Sequence, residues 1–138
     1  MRTPGDLRTL YQLGISWERA ATALARSNGR ALGAASPEAR VAFGAAADSC
    51  RILREAILSN PDGPLPRCFM SALRTRTAPH HLADLLEQVA ATLSNLQDGS
   101  LQAVLTPRPA LARLAEFLSD TGQEILRTVA RRRQLVAS

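Results

Sequence analysis

The sequence has no lysine, few aromatic residues and no long apolar run. Aromatic residues make up 4% of its 138 residues, so a core must be built mainly from Ala, Leu, Val and Ile. No stretch approaches the roughly 20 apolar residues that a membrane span requires, and the first residues lack the apolar centre of a signal peptide. Two cysteines are too few for a disulfide scaffold and have no metal-ligand spacing. We therefore expect a cytoplasmic protein that does not enter a membrane.

Catalytic motifs are also missing. There is no glycine-rich phosphate loop and no nucleophile elbow, and the acids are scattered with no pair placed for acid–base chemistry. The histidines, His80 and His81, are adjacent, so on a helix they point about 100° apart and are poorly placed to share one metal. Arg76 and His81 match the Arg-x4-His spacing of helical-bundle ribonucleases of the HEPN superfamily, but Pro79 lies inside the motif. We expect a protein that is not an enzyme and that holds no metal and no cofactor.

Positive charge is the main feature that the sequence does have. All seventeen basic residues are arginine, against twelve acids, and the pI is about 10.9. Arginine is permanently charged and its planar fork pairs with phosphate, and a pI above about 9 is typical of nucleic-acid-binding domains. Residues 1–35, 66–81 and 127–138 carry net charges of +3, +3 and +4, whereas 36–65 and 82–126 carry −1 and −4. If the fold brings the basic blocks together, they form one positive face with an acidic back.

Apolar residues recur at helical spacing along nearly the whole chain, and no segment alternates as a strand does. We expect an all-α, single-domain bundle of five or six helices over residues 1–138. Proline and glycine set the boundaries. The expected helices are Asp6–Ala31, Pro37–Ser59, Pro66–Arg76, Pro79–Asp98 and a last helix that ends before a basic C-terminal tail from about residue 131.

The candidate phosphate ligands are nine arginines of the three basic blocks. They are Arg19, Arg26, Arg30, Arg67, Arg74, Arg76, Arg131, Arg132 and Arg133. Steps of seven and four place Arg19, Arg26 and Arg30 on one helix face, and a step of seven does the same for Arg67 and Arg74. The last three are consecutive, so a helix would fan them around its axis, and at a helix C-terminus they also complement the dipole. The alternative is that each arginine only solvates its own helix.

Two core candidates have competing interpretations. Cys50 lies beside Arg51 and Arg54, which would lower the pKa of an exposed thiol, but a lone cysteine is more often a small buried hydrophobe. Trp17 falls on the apolar stripe of the first helix. We expect Trp17 to be a core anchor and not a platform for stacking bases.

A different class of function is a protein-interaction module, such as a secretion chaperone, an immunity protein or a phage adaptor. Such a module binds through an exposed apolar patch and not through an arginine face. The candidate patch lies on the short central helix and consists of Leu65, Phe69, Met70 and Leu73.

Two segments carry short motifs. The first contains Tyr11-Gln12-Leu13-Gly14 followed by Glu18-Arg19-Ala20, and the second contains Arg74 and Arg76 followed by His80-His81-Leu82-Ala83. In order and spacing they resemble the C-terminal helical region in large subunits of type I CRISPR surveillance complexes, a region that several systems make as a separate small subunit. The resemblance implies a helical bundle without a catalytic site, which polymerises along the complex and holds DNA or RNA through phosphate contacts. The implied partners are nucleic acid, other subunits of the complex and copies of the chain itself.

Overall fold

Helices account for most of the part of the chain that the structure describes. A computed structural model describes residues 4–26, 37–74, 77–99 and 107–137. These residues form α1 (Pro4–Arg26), α2 (Pro37–Ser59), α3 (Pro64–Leu73), α4 (Pro79–Asp98) and α5 (Arg108–Ala137), and they contain no strand. The expected all-α, single-domain bundle is confirmed.

The helix ends follow local chemistry. Pro64 and Pro79 lie in the first turns of α3 and α4, where a missing N–H costs no hydrogen bond. Gly99 ends α4 in the left-handed conformation (φ 65°), as the sequence predicts for a glycine after the last turn. α3 ends at Leu73, three residues before the expected end. α5 continues to Ala137, so residues 131–133 belong to a helix where we expected a tail.

The helices pack as two pairs with α3 across one side. α1 lies against α5 and α2 lies against α4, and contacts between α1 and α2 join the two pairs. α1 and α5 are antiparallel, because Tyr11 lies beside Arg133 while Glu18 lies beside Gly122. α3 packs mainly on α5, with further contacts to α1 and α2.

Trp17 is fully buried where four helices meet. Its ring lies 6.2 Å from Phe69 of α3, edge to face, and 5.6 Å from Phe117 of α5. Its Nε1–H donates a hydrogen bond of 3.1 Å to Sγ of Cys50 on α2. The expectation that Trp17 is a core anchor is confirmed.

Two glycines allow α1 and α5 to approach closely. A Cβ at Gly14 would lie 2.9 Å from the Leu126 side chain and 3.2 Å from the carbonyl oxygen of Gly122. A Cβ at Gly122 would in turn lie 3.1 Å from the carbonyl oxygen of Gly14. The helices therefore touch backbone to backbone at this point, and α1 passes through Gly14 as one helix.

Candidate nucleic-acid interface

The outward face of α1 carries three exposed arginines. Arg8, Arg19 and Arg26 are spaced by eleven and seven residues, which are close to whole numbers of helical turns. Among the described residues, none of the three forms an ion pair or a side-chain hydrogen bond. With a rise of about 1.5 Å per residue, they span about 27 Å of helix. We call Arg8, Arg19 and Arg26 the α1 arginine stripe.

The stripe agrees in part with the sequence-based candidates. Arg19 and Arg26 share one exposed face, as their spacing predicts, whereas Arg30 lies outside the described residues. Arg8 was missed. It precedes Arg19 by three helical turns, so the same spacing rule identifies it once the rule is applied toward the N-terminus.

A second basic set meets at the junction of α3 and α5. Nη2 of Arg74 lies 3.1 Å from Oε1 of Glu124, and Nη1 of Arg127 binds the same oxygen. The hydrogen bond from Arg127 is the main cause that lowers the pKa of Glu124, and the nearby charges of Arg74 and Arg131 add to it. Glu124 therefore remains charged at neutral pH and neutralises part of this basic set. Sequence reasoning missed Glu124, because nothing in the spacing along α5 relates it to Arg74.

Arg74 does not continue the helix that carries Arg67. It follows the last residue of α3 in the left-handed conformation (φ 56°, ψ 41°), and its N–H bonds to the carbonyl oxygens of Met70 and Ser71. Glycine usually takes this position, because a side chain there costs roughly 1–2 kcal/mol. The prediction that Arg67 and Arg74 share one helix face is therefore wrong. Arg67 is exposed on α3 by itself, and Arg76 lies outside the described residues.

The three consecutive arginines near the end of α5 point in different directions. The guanidinium carbon of Arg133 lies 5.0 Å from the centroid of the Tyr11 ring on α1, a cation–π contact. Arg131 donates to Oγ1 of Thr128 at 3.3 Å, and Arg132 is half-buried. As helical geometry requires, they do not face one row of phosphates. Apart from Arg67, the described arginines of the three basic blocks thus fall into separate sets on α1, at the α3–α5 junction and at the end of α5.

The thiol of Cys50 is not a reactive site. The residue is fully buried, and burial raises the pKa of its thiol to about 12 despite the hydrogen bond from Trp17 and the charge of Arg51. Cys68 is buried as well, and both cysteines are free. The interpretation of Cys50 as a small buried hydrophobe is confirmed.

The candidate apolar patch on the central helix is covered. Leu65 and Phe69 are buried, and Met70 and Leu73 pack against the core. Large apolar side chains are exposed elsewhere instead. On α2, Val41 is 69% exposed and Ile52 is 60% exposed, both on the side away from the core; Tyr11 and Leu58 are exposed to a smaller extent.

The histidine pair lies at the exposed start of α4. The rings of His80 and His81 are 4.1 Å apart, and Nδ1 of His81 lies 3.3 Å from Oγ1 of Thr77. Within the described ranges, no three His, Cys, Asp or Glu side chains gather as a metal site would require.

Comparisons of the chain with protein-family models, with curated proteins and with solved structures found no match. Over the described parts of the chain, no helix combines the length and the apolar character needed to cross a lipid bilayer. The residues and their geometry are therefore the basis for assigning a function.

Proposed function

We propose that this protein is a non-catalytic subunit that holds the phosphate backbone of nucleic acid independently of base sequence. The α1 arginine stripe is the observation that carries this proposal. Its three side chains are permanently charged and exposed, and no described acid competes for them. Arginine forks bind phosphate oxygens well, and contacts to the backbone position a strand without selecting its sequence.

The resemblance to CRISPR small subunits supports a finer form of the proposal. Arg19 belongs both to the Glu18-Arg19-Ala20 motif and to the stripe, while Glu18 lies toward α5 beside Gly122. As a small subunit of an RNA-guided effector complex, the protein would work in the cytoplasm without a cofactor. Its partners would be the DNA or RNA backbone, the other subunits of the complex and further copies of the chain.

The number of arginines in the stripe determines how strongly the affinity for nucleic acid should depend on salt concentration. Each phosphate contact contributes a slope of about −0.7 on a single strand and about −0.9 on duplex DNA in a plot of log affinity against log salt. Three contacts give a slope of about −2 to −3. Affinity should then fall about 20- to 40-fold between 50 and 200 mM salt. A full set of six to ten contacts would give a fall of about 10³ to 10⁵, so the slope measures how many arginines bind.

The test compares two triple variants in fluorescence anisotropy titrations with a labelled single strand and a duplex of mixed sequence. The first variant is Arg8→Gln, Arg19→Gln and Arg26→Gln. The control variant changes three exposed arginines outside α1 and reduces the net charge from +5 to +2 in the same way. It is Arg40→Gln, Arg51→Gln and Arg113→Gln.

We expect the stripe variant to lose most of the salt slope and the control variant to change it by less than about 0.7, the share of one phosphate on a single strand. Because the stripe residues have no described partner, the melting temperature of the first variant should stay close to that of the wild type. Absence of wild-type binding at 20 mM salt would refute the proposal. Equal losses in both variants would show that net charge alone attracts nucleic acid, and would refute the role of the stripe.

The exposed apolar residues on α2 support a second candidate function, a protein-interaction module. Val41 and Ile52 lie three helical turns apart on the outward face of α2, with Asp48 between them. A partner surface with apolar side chains would cover them. Sedimentation velocity of the wild type and of a Val41→Ser, Ile52→Ser variant tests whether copies of the chain associate through this face. A monomeric wild type would exclude self-association through α2.

A further inference from the structure

A groove between the end of α3 and α5 contains two arginines that both bind the carboxylate of Glu124. The groove has a volume of about 400 Å³. Its charged lining residues are Arg74, Asp120, Glu124 and Arg127. Arg74 and Arg127 come from opposite walls, and both bind the single oxygen Oε1 of Glu124. The carboxylate therefore takes the place that one oxygen of an external anion would take.

The two arginines keep most of their donors directed to solvent. The side chains of Arg74 and Arg127 are 77% and 61% exposed, whereas that of Glu124 is 17% exposed. A guanidinium carries five N–H donors, and a single carboxylate oxygen uses only a small part of them. The arginine partners of these ion pairs are exposed to water, which weakens the pairs, so an anion that engages more of the donors can compete with Glu124.

The position of Arg74 does not depend on Glu124. Two backbone hydrogen bonds, to the carbonyl oxygens of Met70 and Ser71, fix the residue in its left-handed conformation at the end of α3. The side chain is directed to α5 from this fixed point. When Glu124 releases the guanidinium, the backbone of Arg74 stays at the end of α3, and its side chain starts from the edge of the groove that Arg127 also lines.

We propose that Glu124 is an internal competitor for phosphate, which occupies Arg74 and Arg127 in the free protein and yields them to a phosphate group of a bound nucleic-acid strand. This inference rests on the proposed function and adds a second contact region beyond the α1 arginine stripe. With Asp120 and Glu124 charged and Arg131 included, the groove region has a net charge of +1. Neutralising Glu124 raises that charge to +2, so the groove should become the stronger phosphate site.

The test is the Glu124→Gln variant, which keeps the shape of the side chain and removes its charge. In the wild type both arginines already bind phosphate once Glu124 is displaced, so Glu124→Gln should leave the salt slope on single-stranded DNA close to that of the wild type. It should raise affinity by up to about 25-fold, because two weak ion pairs no longer have to be broken on binding. Glu116→Gln is the matched control, because Glu116 is an exposed acid of α5 that has no ion pair among the described residues and lies eight positions before Glu124. We expect this control to raise affinity by less than about 3-fold.

A third variant assigns the higher affinity to the arginine pair. Adding Arg74→Gln and Arg127→Gln to Glu124→Gln should abolish the rise in affinity and reduce the salt slope by about 1.4 relative to the wild type. Retention of the higher affinity would overturn the proposal. Equal effects of Glu124→Gln and Glu116→Gln would also overturn it, while leaving the role of the α1 arginine stripe intact. Absence of wild-type binding would instead refute the proposed function itself.

Two further measurements use the wild-type protein, so they do not depend on whether a variant folds. They distinguish phosphate groups of a nucleic-acid strand from free phosphate. The Nε–Hε signals of Arg74 and Arg127 in wild-type NMR spectra should shift in a saturable way when the oligonucleotide is added. Unshifted signals would overturn the proposal. Inorganic phosphate at 10 mM should shift them much less. Equal shifts with phosphate and oligonucleotide would show a site for a free anion, and would overturn the assignment to a nucleic-acid strand.

Discussion

Replacing Gly122 by alanine should destabilise the protein, although alanine is the better helix former. In a helix interior, the change from glycine to alanine stabilises by about 1 kcal/mol through backbone propensity. Here the new Cβ would lie 3.1 Å from the carbonyl oxygen of Gly14 and 3.2 Å from Cγ of Glu18. The carbonyl belongs to the backbone of α1, so it cannot move unless the helix pair separates. Overpacking of this kind costs about 1–3 kcal/mol, and the expected net loss is about 1 kcal/mol.

Gly44 provides a matched control with the opposite sign. A Cβ at Gly44 would meet Nε2 of Gln97 on α4, which is the far end of an exposed, flexible side chain. The Gln97 amide can rotate toward solvent, so the helix propensity of alanine decides the outcome. We expect Gly44→Ala to stabilise the protein by about 0.5–1 kcal/mol.

Urea unfolding followed by circular dichroism at 222 nm measures both effects. The free energies from linear extrapolation should differ by about 2 kcal/mol between Gly122→Ala and Gly44→Ala. A Gly122→Ala protein that is more stable than the wild type would refute the close backbone contact of α1 and α5. Equal shifts of stability in the same direction for both variants would also refute this contact.

Two further predictions concern Cys50 and Arg74. The Cys50 thiol has its pKa raised from 9.0 to about 12, so its contribution to stability is complete below about pH 9 and is lost as pH rises toward 12. The free energy of unfolding from urea titrations should therefore fall by about 1 kcal/mol between pH 8 and pH 10. A Cys50→Ala variant should not show this fall, and an equal fall in the variant would contradict the prediction. Arg74→Gly should leave stability unchanged or raise it by up to about 1 kcal/mol, because relief of the left-handed conformation outweighs an ion pair with Glu124 whose arginine is exposed to water. Arg67→Gly, inside α3, should destabilise the protein by about 1 kcal/mol. A larger loss of stability for Arg74→Gly than for Arg67→Gly would contradict the left-handed conformation of Arg74.

The helices could be predicted because their signals are local. The apolar period of α4, Pro79 at its start and Gly99 after its end together determine that element from one stretch of sequence. The left-handed end of α3 could not be predicted, because arginine at position 74 lacks the glycine that usually marks such an end. The helix therefore appeared to continue to Arg76.

The candidate site was harder to predict than the fold because it depends on how helices pack. Arg8 could be found from spacing alone, since it shares a helix with Arg19. The contact of Arg74 with Glu124 joins residues 50 positions apart and exists only because α3 lies across α5. For the same reason, the sequence left open whether the apolar side of α3 is exposed or covered, and in the folded protein Phe69 packs against Trp17.

Under the proposed function, the α1 arginine stripe allows binding strength to change in evolution independently of folding stability. Its residues have no described partner, so exchanges there change stability by about 0.5 kcal/mol or less. Adding or removing one phosphate-binding arginine changes affinity for a single strand about 5-fold at 100 mM salt. Gln12 is a neighbouring exposed position of α1 where a single substitution adds a charge. If the protein holds a strand as we propose, surface mutations alone can change how long it stays bound, without compensating changes in the core.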